Sequence, residues 1–482
     1  MTIDPGLRRL AMRTLLAAFP GHSAPEWAIN LVEQGLAGYT LFGYNIVDPA
    51  QVAGLTAQLR AARPNVLLAI DEEGGDVTRL AHRTGSPYPG NAALGAIGDL
   101  DLTRRVYHSI GVELAQAGLN LNLAPTVDVN TATDNPIIGT RSFGADPMKV
   151  AAHAAAAVVG LQQAGVAACA KHFPGHGATA ADSHLELPTV DVSLEVLRKR
   201  ELPPFAAVVA ANAKAIMTAH IRVPAITGED PATFSSALLV DLLRREFGFT
   251  GAVVTDALEM KGASVAAGGI GPAAIRALRA GSDLLCIGAD VELELIEEVA
   301  ANIVAAIQDG SLALSRVEEA AARCDSLANW TMGAPPEEPT PRLGYEAARR
   351  AIQVEGSLEG FDHAFVVQLR AGHTIAEGAV PWGLAPHLNG SPQLAVAADQ
   401  TSAQALIEAA NGRPIVLVGR HTHRNPASRA LAEQLAAIYP VAMIEMGWPA
   451  AWRPNGAKAF VTTYGASHAN GRAAAELLGL AH

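Results

Sequence analysis

The stretch VAACAKHFPGHGATAADSH, residues 166–184, joins an apolar run to a loop rich in titratable side chains. Its first part, Val166–Lys171, has the continuous apolar character of a strand buried on both faces, as in a parallel sheet covered by helices. Pro174, Gly175 and Gly177 then predict a tight loop. A buried strand that ends in a lysine and opens into such a loop predicts an α/β fold with functional groups at the strand's carboxyl end.

Seven further runs of the same kind alternate with Ala/Leu-rich helical stretches in the first two-thirds of the chain. Eight parallel strands over about 290 residues match a (β/α)8 TIM-type barrel in number and length. The remaining strand candidates are Leu15–Phe19, Gly38–Phe42, Val66–Asp71, Leu119–Val127, Ala215–His220, Ala252–Asp256 and Asp283–Gly288.

The composition changes at TMGAPPEEPTPRLG, residues 331–344, a Pro- and Glu-rich stretch that predicts an extended linker. We therefore expect a catalytic barrel domain over 1–330 and a smaller α/β sandwich domain over 345–482. The second domain is predicted to start with a helix at Tyr345–Val354. Its strand candidates are Ala364–Leu369, Gln393–Val396, Ile415–Val418, Val441–Glu445 and Lys458–Thr463.

The net charge of −12, with no Lys/Arg-rich stripe, argues against a nucleic acid partner. No apolar run reaches the roughly 20 residues that span a bilayer, so no membrane partner is expected. The N-terminal stretch lacks the long apolar core of a secretory signal, which favours a cytoplasmic location. The three widely spaced cysteines form neither a disulfide framework nor a paired-thiol zinc motif.

The loop after Lys171 presents three histidines and an aspartate within a few residues. Asp182 and His184 lie two positions apart, close enough for the carboxylate to orient the imidazole and raise its basicity. Such a histidine can give a proton and later take one back, as a two-step hydrolase requires. The same residue types could instead bind zinc, although the order Lys-His-x-Pro-Gly-His lacks the usual helical ligand spacing.

The second informative passage is GAVVTDALEM, residues 251–260, in which Asp256 ends a buried strand. A carboxylate at that position can attack an anomeric carbon. The alternative is that Asp256 only caps the next helix. Glu259 is expected on a helix surface. Four other strands also end at charged or titratable residues, which are Asp71, Asp128, Lys171 with His172, and His220.

Both passages resemble glycoside hydrolase family 3, specifically its β-N-acetylglucosaminidase branch, in which a His-Asp dyad on a loop serves as the acid/base. The resemblance extends over most of residues 10–330. Its further stretches are IDEEGGDVTRL (70–80), PYPGNAALGA (87–96), APTVDV (124–129), NPIIGTRSFG (135–144) and MTAHIRVPAI (217–226). More weakly, FVTTYGASHANGRAAAELL (460–478) resembles the sandwich domain of longer members.

The resemblance implies roles for individual residues. Asp256 matches the nucleophile, and His184 with Asp182 matches the acid/base dyad. Residues matching those that bind the hydroxyls of the cleaved sugar are Asp71, Arg141, Lys171 and His172. His176 matches a loop-shaping residue, and Asp128 and His220 are expected to support the rim. Asp76 is a departure, because many single-domain members carry arginine directly after Glu-Gly-Gly, which could alter recognition of the leaving group.

The resemblance implies retaining hydrolysis of terminal non-reducing β-linked N-acetylglucosamine from muropeptides or chito-oligosaccharides, in a monomer or homodimer. The partner is a small carbohydrate, and neither a metal nor an organic cofactor is expected. Two alternatives remain at this point. A β-N-acetylglucosaminide phosphorylase would use the same site with phosphate, and a zinc-dependent barrel hydrolase would use the histidines as ligands. A catalytically dead carbohydrate-binding barrel fits less well with the complete residue set.

Overall fold

The computed structural model describes residues 4–132, 134–179, 183, 186–289, 291–331, 338–340 and 342–481. Half of the linker predicted at 331–344, residues 332–337 and 341, lies outside these residues. The strands are β1 Leu15–Ala17, β2 Gly38–Leu41, β3 Leu67–Ile70, β4 Leu121–Asn122, β5 Ala167–Phe173, β6 Ala215–Thr218, β7 Ala252–Thr255, β8 Leu285–Cys286, β9 Gln353–Gly356, β10 Phe365–Leu369, β11 Gln393–Val396, β12 Ile415–Gly419, β13 Val441–Glu445 and β14 Ala459–Thr462.

The α-helices alternate with these strands along most of the chain. They are α1 Pro5–Met12, α2 Glu26–Glu33, α3 Pro49–Ala62, α4 Asn91–Ile97, α5 Leu100–Gln116, α6 Pro147–Gln163, α7 Leu194–Arg200, α8 Leu202–Ala210, α9 Pro224–Thr227, α10 Lys261–Ala267, α11 Ile270–Ala280, α12 Leu293–Gln308, α13 Leu314–Trp330, α14 Leu343–Ala351, α15 Ala403–Ala410, α16 Pro426–Ile438 and α17 His468–Leu477. A π-helix, Ala237–Glu246, precedes β7.

The first eight strands form one parallel sheet in the order β7-β6-β5-β4-β3-β2-β1-β8. A parallel bridge between Val254 and Leu284 links its two ends, so the sheet closes into the predicted (β/α)8 barrel. Each predicted strand is confirmed at its predicted position. The run predicted at Leu119–Val127 is much shorter as β4, because Pro125 cannot donate a backbone hydrogen bond to a neighbouring strand.

One contiguous core cluster joins all sides of the barrel. It takes every second residue of the strands, for example Leu67 and Ala69 from β3 and Ala167 and Cys169 from β5. Alternate residues of a strand share a face, so a single cluster fed by the strands of a closed barrel fills its interior. Cys324 of α13 belongs to the same cluster.

The contacts within the chain separate two compact units, made of residues 1–72, 103–138 and 145–340, and of residues 73–102, 139–144 and 341–482. The second unit contains a six-stranded sheet in the order β11-β10-β12-β13-β14-β9. Apolar clusters cover it on both sides, one including Val416 and Val418 and the other Ile415 and Leu417. This is the predicted α/β sandwich.

One element of the sandwich was predicted wrongly. The helix expected at Tyr345–Val354 ends at Ala351, and Gln353–Gly356 forms β9, which pairs antiparallel with β14. All four residues of β9 are exposed. An exposed edge strand carries no alternating apolar pattern, so the sequence offered no signal for it. No helix among the described residues is both long and apolar enough to cross a bilayer.

Candidate active site

Three charged side chains continue the apolar face that fills the barrel. Asp71 follows Leu67 and Ala69 at two-residue spacing, Lys171 follows Ala167 and Cys169, and Asp256 follows Ala252 and Val254. Because alternate residues of a strand point to the same side, the three charges lie on the inner face at the carboxyl ends of β3, β5 and β7. Barrel enzymes build their active sites at this end.

Lys171 and Asp71 form an ion pair, with Nζ 2.6 Å from Oδ1. The pKa values of two neighbouring thiols, Cys169 and Cys286, depend on the charges around them. Burial raises the pKa of Cys169, and the charges acting on it are those of Lys171, Asp71 and Asp256. Burial also raises the pKa of Cys286, to which the carboxylates of Asp256 and Asp71 both contribute. Both carboxylates therefore act on one region of the barrel interior.

Asp256 is half-buried, and its carboxylate is fixed by the backbone that follows it. Ala257 N–H donates to Oδ1 at 2.8 Å, and the Asp256 N–H donates to the carbonyl of Thr218 on β6 at 3.2 Å. Strand β7 and the hydrogen bond to β6 thus fix the position of the Asp256 backbone, from which the carboxylate extends. A donor to the ionised carboxylate favours the anionic form that a nucleophile needs.

Glu259 does not lie on a helix surface as predicted. Its Oε2 accepts a hydrogen bond from Gly288 N at 2.9 Å, and a Cβ atom at Gly288 would overlap the carboxyl group. Burial raises the pKa of Glu259, and the charge of Asp256 adds to the shift. Glu259 ties the segment after β7 to the segment after β8.

Asp128 is fully buried and holds His172 of β5 and His176 of the loop that follows β5. Its Oδ2 lies 2.7 Å from His172 Nδ1, and its Oδ1 accepts from the backbone N–H groups of His172 at 3.2 Å and His176 at 2.7 Å. Burial raises the pKa of Asp128, but His172 and His176 outweigh it and hold the pKa below its usual value. The carboxylate therefore fixes both the loop backbone and the His172 ring.

His176 lies inside the loop, with both ring nitrogens at hydroxyl groups. Nδ1 is 2.7 Å from Thr179 Oγ1, and Nε2 is 3.0 Å from Ser183 Oγ. Its carbonyl accepts from Asn135 Nδ2 at 3.0 Å. Thr179, Ser183 and Asn135 are partners of His176 that the sequence did not indicate, and its loop-shaping role stays a prediction.

His220 is fully buried behind the end of β6. Its Nδ1 lies 2.8 Å from Thr233 Oγ1, and its Nε2 lies 3.0 Å from the carbonyl oxygen of Ala257, the residue after Asp256. With Nε2 as the donor, the ring supports the backbone that carries the Asp256 side chain.

Glu201 was not predicted as part of the site, yet it packs directly beneath the loop. Its side chain is completely buried, with Oε1 accepting from Arg200 Nε and no hydrogen-bond partner for Oε2 among the described residues. A Cβ atom at Gly175 would lie 2.8 Å from this carboxyl group. Burial raises the pKa of Glu201 to about 7; Arg200 opposes the shift and Asp128 adds to it. The only sequence signal was an acid beside the apolar run Leu202–Phe205.

Two predicted residues, Asp182 and His184, lie outside the described residues. Their proposed part in acid/base chemistry thus stays a prediction. Among the residues that the structure describes, no three His, Cys, Asp or Glu side chains are gathered as metal ligands.

Arg141 belongs to the second unit, where its guanidinium is buried against Glu73. Nε donates to Oε2 at 3.0 Å and Nη2 to Oε1 at 2.8 Å, a bidentate pair that fixes the plane of the guanidinium. Asn91 Nδ2 donates to the Arg141 carbonyl at 2.7 Å. Glu73 was not predicted, although the acidic run Asp71–Glu73 contains it.

Asp76, the departure noted in the sequence, is a buried acceptor in the second unit. Its Oδ2 accepts from Thr140 Oγ1 at 2.6 Å and its Oδ1 from Ala466 N at 2.7 Å. Arg420 Nη2 lies 3.0 Å from Oδ2 and also pairs with Glu377. Asp76 therefore anchors the Glu-Gly-Gly segment within its own unit.

Comparisons with known proteins agree with this architecture. The chain is 34% identical over 403 residues to "Beta-hexosaminidase A" of Pseudoalteromonas piscicida, covering 75% of this chain and 65% of that protein's length. It is 40% identical over 256 residues to "Beta-hexosaminidase" of Pseudomonas aeruginosa PAO1, covering 52% of this chain and 74% of that protein.

A solved structure, the glycoside hydrolase family 3 β-N-acetylglucosaminidase of Paenibacillus sp. str. FPU-7, superposes with a TM-score of 0.87 at 31% identity and covers 98% of this chain and 96% of that one. The family model "Glycosyl hydrolase family 3 N terminal domain" matches residues 9–327, which include the barrel ends described above. The chain therefore belongs to glycoside hydrolase family 3.

Proposed function

We propose that this protein hydrolyses terminal non-reducing β-linked N-acetylglucosamine with retention of configuration, through a glycosyl-enzyme intermediate. One observation carries the proposal. Asp71, Lys171 and Asp256 lie on the inner face of the barrel, at the carboxyl ends of three strands. The Paenibacillus relative, whose similarity extends over nearly the whole chain, is a β-N-acetylglucosaminidase and supports the choice of sugar.

In the first step, a carboxylate oxygen of Asp256 attacks the anomeric carbon. The bond between that carbon and the glycosidic oxygen breaks, and His184, oriented by Asp182, gives its proton to the departing oxygen. The hydrogen bond from Ala257 N–H holds the carboxylate during the attack. A neutral imidazole formed by this transfer adds no second negative charge beside the nucleophile.

In the second step, the neutral His184 takes a proton from water while the water oxygen attacks the anomeric carbon. The ester bond to Asp256 breaks, and the carboxylate leaves with its electron pair. The two displacements at one carbon restore the original configuration. Both steps proceed with the chain's own acid/base and nucleophilic groups.

The remaining predicted residues bind the cleaved sugar in this proposal. Lys171 supplies donors and Asp71 supplies acceptors for neighbouring hydroxyls, and their pairing keeps both oriented before the sugar binds. His172 is oriented by Asp128, so its ring presents Nε2 in a fixed direction. Arg141 lies in the second unit, where Glu73 fixes the plane of its guanidinium, and its part in sugar binding stays a prediction from the sequence.

The proposed substrates are muropeptide-derived disaccharides or chito-oligosaccharides, with a place in cell-wall recycling. We also propose that the enzyme works in the cytoplasm as a monomer or homodimer. Cys169, Cys286 and Cys324 are free and buried, as expected of thiols in a reducing compartment, where disulfides are rare.

The decisive experiment compares release of p-nitrophenol from the β-N-acetylglucosaminide and the β-glucoside. A preference for the N-acetyl sugar is expected, whereas a preference for glucose would remove the assignment. Asp256→Ala should lower kcat by about 10⁴-fold or more, while the exposed Asp309→Ala serves as a control. Azide should restore turnover in Asp256→Ala and give a glycosyl azide of inverted configuration.

A second series tests the acid/base assignment. His184→Ala should spare substrates with activated aryl leaving groups and slow alkyl glycosides strongly, because only the latter need a proton. Equal losses for both would contradict the role of His184. Turnover that requires phosphate, with a sugar phosphate as the product, would instead identify a phosphorylase.

A further inference from the structure

A cavity of about 340 Å³ opens at the amino ends of the barrel strands. Gly35 and Ala37 before β2, and Asn65 and Leu67 at the start of β3, form one wall. The rest is formed by the N-terminal helix α1 with Arg13 directly after it, by Arg63 after α3, and by the last barrel helix α13. The nucleophile and the sugar-binding residues proposed in the first unit follow the carboxyl ends of strands, so this cavity lies at the opposite end of the barrel from them.

The cavity is strongly basic. Its lining contains three arginines, Arg9, Arg13 and Arg63, against a single carboxylate, Asp325. Asp325 pairs with Arg13, and no second carboxylate lies among the described residues of the lining. The chain as a whole carries 47 acidic and 35 basic residues, which makes a concave surface with this excess of positive charge unusual for the protein.

The electrostatic environment of Arg63 shows the same excess. Burial lowers its pKa, Asp325 opposes that shift, and the positive charges of Arg9 and Arg13 lower the pKa further. The guanidinium groups of Arg9 and Arg13 therefore both lie close enough to Arg63 to repel its positive charge. A bound anion would relieve this repulsion and would interact with all three.

The walls that carry these groups are held in place. Arg63 Nη2 donates to the carbonyl of Ala37 at 2.9 Å, and Asn65 Nδ2 donates to Asn329 Oδ1 of α13 at 2.8 Å. Gly35 has a φ of +111°, and a Cβ atom there would lie 3.0 Å from Cγ of Arg9, so the glycine lets this side chain lie against the backbone. The guanidinium of Arg9 makes no hydrogen bond to a described residue and can turn to a ligand.

We propose that this cavity is a binding site for a small phosphorylated compound, seated between Arg9, Arg13 and Arg63. Planar guanidinium groups match the oxygens of a phosphate in bidentate pairs, and several of them together favour a multivalent anion. The volume of about 340 Å³ accommodates pyrophosphate or a phosphate ester with a small organic group. Binding there would join α1 and α13 to the strand ends between them.

The test uses the full chain with pyrophosphate as the probe. We expect pyrophosphate to raise the Tm above that in sodium chloride of matched ionic strength, and isothermal titration to show one site per chain. Arg9→Gln should weaken binding about tenfold, because one charge-assisted contact is lost. Arg9→Lys should retain part of the affinity. The exposed Arg105→Gln, on α5, removes the same charge elsewhere and should bind as the wild type does.

Two results would overturn the proposal. One is that the wild type and Arg9→Gln bind pyrophosphate with equal affinity, or that neither binds it more strongly than the chloride control shows. The other is competitive inhibition of aryl glycoside hydrolysis by pyrophosphate with a Ki that Arg9→Gln leaves unchanged, which would place the anion at the catalytic end. Circular dichroism melts without ligand check that Arg9→Gln folds. None of these readouts depends on which sugar the enzyme prefers.

Discussion

The ammonium of Lys171 lies 2.6 Å from Oδ1 of Asp71, although the two residues are 100 positions apart in the chain. The side chain of Lys171 is 3% exposed and that of Asp71 19% exposed, so the pair is largely removed from water. Removing Lys171 leaves the largely buried carboxylate of Asp71 without this counterion, which destabilises the folded state far more than loss of an exposed pair.

We therefore expect Lys171→Met to lower the free energy of unfolding by about 3 kcal/mol and kcat/KM by about 10²-fold. Urea unfolding and turnover of the aryl N-acetylglucosaminide measure the two effects. The double variant Lys171→Met/Asp71→Asn should lose less free energy of unfolding than the sum of the losses in the two single variants. Strict additivity would show that the pair is not coupled. Lys199→Met, in an exposed pair with Glu195, should change stability by less than about 1 kcal/mol.

Glu201 gives a prediction about pH. Its carboxyl group has an ordinary pKa of 4.5 in the unfolded chain, and burial raises that pKa to about 7 in the folded protein. Between these pH values the folded state binds more protons than the unfolded state. The free energy of unfolding therefore falls as the pH rises from 4.5 to 7, and this loss is complete above pH 7.

Glu201→Gln removes this titration. Relative to the wild type, the variant should gain about 3 kcal/mol of stability between pH 4.5 and pH 8, because the wild type must bury a charge at the higher pH. Urea unfolding at several pH values measures the difference, and Glu195→Gln, whose side chain is 77% exposed, is the control. Parallel pH profiles for Glu201→Gln and the wild type would refute the shifted pKa.

Asp76 and Arg420 form a buried ion pair in the second unit. Asp76→Ala should lower the free energy of unfolding of that unit by about 3 kcal/mol, because it also leaves Thr140 Oγ1 and Ala466 N without their acceptor. In a double-mutant cycle with Arg420→Ala, the coupling should be about 1–3 kcal/mol. Asp399→Ala, an exposed change in the same unit, is the control. A coupling near zero would mean that the pair does not stabilise the unit.

The sequence predicted most of the barrel because a parallel strand buried on both faces is a short run of mostly apolar residues. Val166–Lys171 is apolar up to the lysine that ends it, and Val66–Asp71 and Ala252–Asp256 likewise run through mostly apolar residues to a charged end. It also predicted that Asp71, Lys171 and Asp256 lie at strand ends, since each charge closes a buried run. These features are local, and a local pattern suffices to find them.

Contacts between residues that only tertiary packing brings together could not be predicted from the sequence. Glu201 lies beneath Gly175, Glu259 reaches Gly288, and Glu73 pairs with Arg141, and none of these distances follows from spacing along the chain. The exposed strand β9 was missed because its residues contact solvent and carry no apolar period. Because Asp and Glu are mostly exposed in proteins, a carboxylate is expected at the surface unless the fold that buries it is known.

Gly177 provides the sharpest test of the loop after β5, because its backbone lies against that of Val129. A Cβ atom at this glycine would lie 2.0 Å from the Val129 carbonyl oxygen, so Gly177→Ala must move the loop. Overpacking of this kind destabilises by about 1–3 kcal/mol. A shift of about 1 Å in the groups that this loop carries should lower kcat/KM by about 10²-fold, measured with the aryl N-acetylglucosaminide.

Gly54 is the matched control, since it lies on the exposed side of α3 with nothing within 4 Å of an added Cβ. Gly54→Ala should raise the free energy of unfolding by about 0.5–1 kcal/mol, because alanine loses less backbone freedom than glycine in a helix. The same chemical change thus has opposite signs at the two positions. If Gly177→Ala retained full kcat/KM and stability, the close approach of Gly177 to Val129 would not be what holds the loop in place.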